Sequence, residues 1–194
     1  MHPFISTMAN MLIIFGLVTY ATKGVSFGAI DAAIPNMFIP QIGSFPTIIL
    51  WAVVAIVVVW FIWNKTTFGK NLYAVGGNPE AAAVSGISVF AVTLGAFVMA
   101  GILYGFGSWL ECARMVGSGS AAYGQGWDMD AIAACVVGGV SFTGGIGKIS
   151  GVVTGVLIFT SLTYSLTILG IDTNLQFIFE GIIILAAVTL DCLK

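Results

Sequence analysis

Residues 47–63 read TIILWAVVAIVVVWFIW, and their reading decides the fold. No charged residue falls between Asp31 and Lys65. A helix needs about 20 mainly apolar residues to cross a bilayer. The tryptophans Trp60 and Trp63 close the run where such a helix would reach the membrane–water interface. Its many β-branched residues do not oppose a helix in lipid, because only helices and closed barrels satisfy the backbone there.

Other stretches repeat the pattern. Residues 1–22, 81–110, 131–147 and 149–171 carry no Asp, Glu, Lys or Arg. Apolar runs cover 3–20, 47–63, 89–110, 149–169 and 175–190, and 131–147 is apolar but rich in Ala and Gly. The whole chain has 194 residues, 59% hydrophobic and 7% charged. A soluble domain of this length would carry about 48 charges, against six basic and eight acidic residues here. So few charges cannot cover a water-facing surface. Soluble enzymes, nucleic-acid binders and disordered proteins are excluded as classes. The alternating pattern of an outer-membrane barrel is missing. The expectation is an all-α integral membrane protein, one domain over 1–194, with about six transmembrane helices.

Lysine placement gives the orientation. Lys65 and Lys70 put the loop after the second run in the cytoplasm, and Lys194 puts the C-terminus there. Between two cytoplasmic points the crossings must be even in number. Runs 89–110, 149–169 and 175–190 supply three, so 131–147 is expected to be the fourth. As a straight helix it would reach only about 25 Å, so it would cross as a broken helix within a bundle, or else be re-entrant. Residues 23–46, 111–130 and 170–174 then lie outside. Lys23 and Arg114 sit on that side against the rule.

Most local motifs have plain structural readings. Gly147, Gly151 and Gly155 share a helix face, as do Gly101 and Gly105. Small faces of this kind let backbones approach closely in lipid. Residues 138–148, GGVSFTGGIGK, suggest a phosphate loop, but Phe142 and Ile149 break the required Gly-x4-Gly-Lys-Ser/Thr spacing. His2, the single histidine, is terminal. Cys112, Cys135 and Cys192 read as apolar fillers rather than disulfide or metal ligands. No catalytic set, metal site or cofactor is expected. The N-terminal run lacks the basic start of a signal peptide. Asp128 and Asp130 read as caps of a helix starting near 131. Glu180 is the one charge well inside a membrane run, with functional and structural roles equally open.

The polar segment 64–88, NKTTFGKNLYAVGGNPEAAAVSGIS, is the most informative. Asn78 can cap a helix, Pro79 suits its first position, and Glu80 suits the positive end of its dipole. Gly86 is a fitting stop. A helix of about two turns, Pro79–Ser85, is expected between flexible glycines 76–77 and Gly86. It is too short to be stable alone, so it needs a docking surface, either its own bundle or a partner.

Three stretches carry a resemblance. FGKNLYAVGGNPEAAAVSGISV (68–89), DMDAIAACVVGGVSFTGGIGKISGVVTGVLI (128–158) and PFISTMANMLIIFG (3–16) resemble bacterial ABC-type monosaccharide importer permeases of the ribose/galactose group. The resemblance implies the C-terminal part of a permease fold like that of the vitamin B12 importer. It implies import of a monosaccharide of galactose/methylgalactoside type across the bacterial inner membrane. It also implies three partners: a separate ABC ATPase subunit, a periplasmic or lipid-anchored sugar-binding protein, and a second permease copy. Gly77, Asn78, Pro79, Glu80, Ala81, Ala82, Ser85 and Gly86 would couple to the ATPase. Ser6, Thr7 and Asn10 are candidates to line the pathway, with hydrogen bonding inside the bundle the equal alternative. Family permeases have further N-terminal helices, so the chain is expected to be an N-terminally truncated part. The family also leads one to expect a basic residue near Glu180. A non-functional remnant, and an unrelated channel or membrane enzyme, stay open as alternatives.

Overall fold

The computed structural model describes residues 3–26, 28, 41–42, 45–115, 119–141 and 143–192. His2, Phe142, most of the 23–46 loop and the Lys194 tail lie outside the described residues. So does the Cys192 side chain.

The described chain is helical apart from one small pairing. Helix α1 spans Pro3–Thr22. Strands β1 (Gln41–Ile42) and β2 (Phe45–Pro46) pair antiparallel, with Gln41 opposite Pro46 and Ile42 opposite Phe45. Then follow α2 (Ile48–Lys65), α3 (Thr67–Gly77), α4 (Pro79–Val84) and α5 (Val89–Arg114). The last three are α6 (Trp127–Val137), α7 (Ile149–Ile168) and α8 (Thr173–Cys192).

Four stretches are long and apolar enough to cross a membrane: Ile5–Thr22, Ile48–Lys65, Val89–Arg114 and Ile149–Ile168. Helix α8 carries a shorter apolar stretch, Leu175–Ala186. Over 131–147, where the sequence leads to a broken-helix crossing or a re-entrant segment, the structure has one short helix. Helix α6 starts earlier, at Trp127, and stops at Gly138. Its 11 residues reach about 16 Å, half of a bilayer core of about 30 Å. The stop has a local cause. The Gly139 N–H donates to Val136 and the Val140 N–H to Cys135, with Gly139 at φ 80°. That closes the helix end as a left-handed glycine does. The capping role expected of Asp128 and Asp130 also changes. Gly126 holds the cap position without a side-chain bond, and both aspartates fall inside the first turn. There they favour the helix dipole without serving as caps.

The helices form two compact units. The first holds residues 1–52 and 100–125. In it Phe106 packs edge-on to Trp51, ring centres 5.9 Å apart, and stands 6.3 Å from Trp109. Leu110 and Ala113 are its buried apolar residues. The second unit holds residues 53–99 and 126–194. Its core is Ala133, Ala134 and Phe159, with Ile183 and Ile184 packed against them. Helix α6 packs against both α7 and α8. No residue of the α1 or α2 membrane stretch is buried within the chain. Such faces suit lipid, where apolar exposure carries no penalty.

Candidate functional site

The site is built by three short turns after α2. Thr66 ends that helix by donating its hydroxyl to the Ile62 carbonyl at 2.6 Å. The same oxygen accepts from the Gly69 N–H at 3.3 Å and caps α3. A Cβ at Gly69 would lie 2.0 Å from the Trp63 carbonyl oxygen, so only glycine lets α3 fold back this tightly. Lys65 reaches over the Trp60 ring, 5.8 Å from its centre, a cation–π contact at the end of the membrane helix. Further along, Phe68 fills the space in front of Gly95 on α5.

Asn78 closes one helix and opens the next. Its backbone N–H donates to Ala74 in α3 at 3.1 Å, and its side-chain oxygen accepts from the Ala81 N–H of α4 at 3.0 Å. Pro79 takes the first helical position and Glu80 the first turn. Ser85 returns its hydroxyl to the Ala81 carbonyl at 2.9 Å. Gly86 adopts φ 83°, and Ile87 donates back to Ala82, closing the end. Of the coupling residues named from the sequence, Ala82 is buried, while Gly77, Asn78, Pro79, Glu80, Ala81, Ser85 and Gly86 are exposed. Val84 is 91% exposed, an apolar side chain that α4 turns outward.

The glycines at 76–77 depart from the flexible linker expected of them. They form the last turn of α3, pressed against the loop joining α6 to α7. A Cβ at Gly76 would meet the Gly145 nitrogen at 2.8 Å. One at Gly144 would meet the Gly76 oxygen at 2.9 Å, and one at Gly145 the Gly77 Cα at 2.6 Å. Gly144 and Gly145 also hold φ 94° and 74°. Tyr73, one turn earlier, donates its hydroxyl to the Gly147 carbonyl at 2.7 Å. A cavity of about 260 Å³ lies beside this contact, between Trp63, Tyr73, Cys135 and the loop.

The packing glycines divide. A Cβ at Gly155 would fall 2.1 Å from the Ala134 oxygen, and one at Gly151 2.2 Å from the Gly138 oxygen. Gly147 rests against the Val140 side chain. Gly151 and Gly155 hold α7 to α6 and its C-terminal end backbone to backbone, whereas Gly147 meets only a side chain. Among the described residues, nothing lies within 4 Å of a Cβ at Gly101 or Gly105. Ser6, Thr7 and Asn10 lie on exposed positions of α1, away from the segment just described in sequence.

Two polar clusters were not visible from spacing. Glu111 takes a forked ion pair from Arg114, and the Tyr123 hydroxyl donates to the same carboxylate at 2.5 Å. That donation pushes the Tyr123 pKa up from its ordinary value. The pairing shows why Arg114 is a weak orientation marker. Within the second unit, the carboxyl groups of Asp130 on α6 and Glu180 on α8 act on one another. Glu180 therefore faces an acidic partner rather than lipid alone. Cys112 and Cys135 are free thiols.

Comparison with known proteins gives the family. A family described as branched-chain amino acid transport system / permease component matches residues 1–188. The galactose/methyl galactoside import permease of Treponema pallidum (strain Nichols) is 55% identical over 202 residues, covering 100% of this chain and 38% of the relative. The protein of the same name in Escherichia coli (strain K12) is 46% identical over 200 residues, 99% of this chain and 59% of the relative. The ribose import permease of Bacillus subtilis (strain 168) is 37% identical over 196 residues, 98% of this chain and 60% of the relative. The chain thus spans between 38% and 60% of the length of these relatives. No solved structure matches it. With membrane-length helices and a match over nearly its whole length, the chain belongs to the family of branched-chain amino acid transport system permease components.

Proposed function

We propose that the chain is the membrane-spanning permease part of an ATP-driven sugar importer, carrying a monosaccharide of galactose/methyl galactoside type. The sugar arrives from a periplasmic or lipid-anchored binding protein and leaves into the cytoplasm. ATP hydrolysis belongs to a separate ATPase subunit, and a second permease copy completes the pathway. The relatives' names support the substrate class.

One observation carries the reading: α4 is capped at both ends yet anchored by a single buried residue, Ala82. A six-residue helix is far below the dozen or so needed for stability in water. Its outer face, with Glu80, Ala83 and Val84, suits a groove on the ATPase. Residues 64–88 form the coupling segment, and Gly77, Asn78, Pro79, Glu80, Ala81, Ala82, Ser85 and Gly86 are its coupling residues. Lys65, Lys70, Lys148 and Lys194 mark the cytoplasmic side of the inner membrane, with the C-terminus inside. The open face at Gly101 and Gly105 supports packing against another copy or a helix of the longer permease. Ser6, Thr7 and Asn10 remain the proposed pathway residues of α1.

The test is co-purification of the ATPase with the whole permease. A Glu80→Arg, Ala83→Trp double variant reaches the membrane normally but retains about tenfold less ATPase, the effect of losing a central contact. Equal retention by wild type and variant refutes the docking. Labelled galactose uptake, with and without the gene, tests the substrate.

A further inference from the structure

The contact between α3 and the α6–α7 loop lies apart from the buried cluster of Ala133, Ala134 and Phe159 and is made at glycines. Apart from the Tyr73 hydroxyl, it joins main chain to main chain. Tyr73, Gly76 and Gly77 lie at i, i+3 and i+4 on α3, so they share one face. That face meets Gly144, Gly145 and Gly147 through the close approaches and the 2.7 Å hydrogen bond given above. Side chains can change rotamer when pushed. Two backbones held this close have no such freedom, so one cannot advance without displacing the other.

The contact also has a stiff input and a stiff output. On the input side, Asn78 bonds to both α3 and α4, which makes it a bracket rather than a hinge. On the output side, the Ser141 N–H donates to the Ile146 carbonyl at 3.0 Å and closes the loop on itself. Gly138, at the foot of the loop, is pressed against Gly151 and Gly155 of α7. The half-length helix α6 therefore sits at the far end of an unbroken series of backbone contacts that starts at α4.

We infer that Tyr73 and the Gly76–Gly77/Gly144–Gly145 clasp pass the displacement of α4 to the α6–α7 hairpin, a second route beside the covalent link from α4 into α5. This rests on the coupling role proposed for α4. Tyr73 is a positioning residue: it touches neither sugar nor nucleotide, and its hydroxyl holds the loop on α3.

The test uses the complete importer, permease with ATPase and binding protein, reconstituted in vesicles. Two quantities are read: sugar molecules moved per ATP hydrolysed, and the ATP-dependent change in maleimide labelling of Cys135, the thiol beside the clasp, with the other cysteines replaced. Tyr73→Phe keeps the ring and removes only the bond. The expected result is assembly and ATP hydrolysis near wild type. Sugar per ATP and the Cys135 labelling change both fall about three- to tenfold, the span of one net hydrogen bond. Gly76→Ala, which drives a methyl into the Gly145 backbone, gives a fall at least as large. Unchanged values for Tyr73→Phe in an assembled, hydrolysing complex overturn the clasp and leave the coupling role of α4 standing. A wild-type permease that neither binds the ATPase nor moves sugar overturns both.

Discussion

Gly155→Ala and Gly101→Ala are the same chemical change on two membrane helices, and the structure gives them opposite signs. At Gly155 the new methyl would lie 2.1 Å from the Ala134 oxygen, 2.7 Å from the Gly138 nitrogen and 2.8 Å from its Cα. Cβ atoms essentially never approach closer than 3.0 Å, so α6 and α7 must separate by most of an ångström. All three obstacles are backbone, and none can rotate aside. Overpacking of a fitted contact costs about 1–3 kcal/mol. The separation also loosens Phe159, which is one turn along α7 and only 5% exposed, so the upper end applies. Alanine returns about 1 kcal/mol of helix propensity, leaving a net loss of about 2 kcal/mol. At Gly101 nothing described lies within 4 Å, so the propensity gain stands alone and the chain gains up to about 1 kcal/mol. The two variants should differ by about 3 kcal/mol, roughly a hundredfold in the unfolding equilibrium. Reversible unfolding of the purified protein in mixed detergent micelles measures the difference. Equal stabilities, or a larger loss at Gly101, would refute backbone contact as the basis of the α6–α7 hairpin.

Three further changes probe the site. Asn78→Ala removes the cap of α4 and costs about 1 kcal/mol of local stability; amide exchange at Ala81 should speed up accordingly, and Asn78→Asp should restore it. Gly86→Ala places a side chain at φ 83°, so the α4–α5 turn loses about 1 kcal/mol, visible as faster exchange at Ile87 but not on α7. Glu180→Gln keeps a polar partner for Asp130 and leaves micelle stability within about 0.5 kcal/mol, whereas Glu180→Ala removes that partner and costs about 1 kcal/mol or more; equal effects would show that the two side chains do not interact.

Legibility in the sequence followed the length scale of each signal. Membrane helices announce themselves over 20 residues, because lipid removes charge from every position of the run, and 3–20, 47–63, 89–110 and 149–169 all became long helices. Capping is written in single residues at fixed offsets, so Asn78, Pro79 and Gly86 could be read directly. Helix α3 was not legible. Its sequence, TFGKNLYAVGG, mixes polar residues with three glycines that look like linkers by propensity. Gly69 and Gly76 are there because α2 and the loop after α6 approach α3 too closely for a Cβ, a long-range fact that no local pattern records. Helix α6 was misplaced for a related reason. Alanines fill 131–137 and glycines 138–147, both apolar and small, so the run reads on past the stop that Gly139 makes at φ 80°. The Asp130–Glu180 pair was equally hidden, since it joins residues fifty positions apart.

These misses bear on how the segment works. In water, two helices adhere by burying apolar side chains, and such contacts tolerate small slips. In lipid that drive is absent, and close backbone approach takes its place. The hairpin of α6 and α7 and the clasp to α3 are both of this second kind. The docking proposed for α4 needs such contacts behind it. An apolar cushion would absorb a displacement of an ångström or two by rotamer change, whereas glycine-to-glycine contact transmits it. On this view the glycines around 76, 138, 145, 151 and 155 serve one mechanical purpose. Substitutions along them should uncouple ATP use from transport in order of how near backbone the new methyl falls: most at Gly155 and Gly151, less at Gly145 and Gly76, and least at Gly147, where only the Val140 side chain stands in the way.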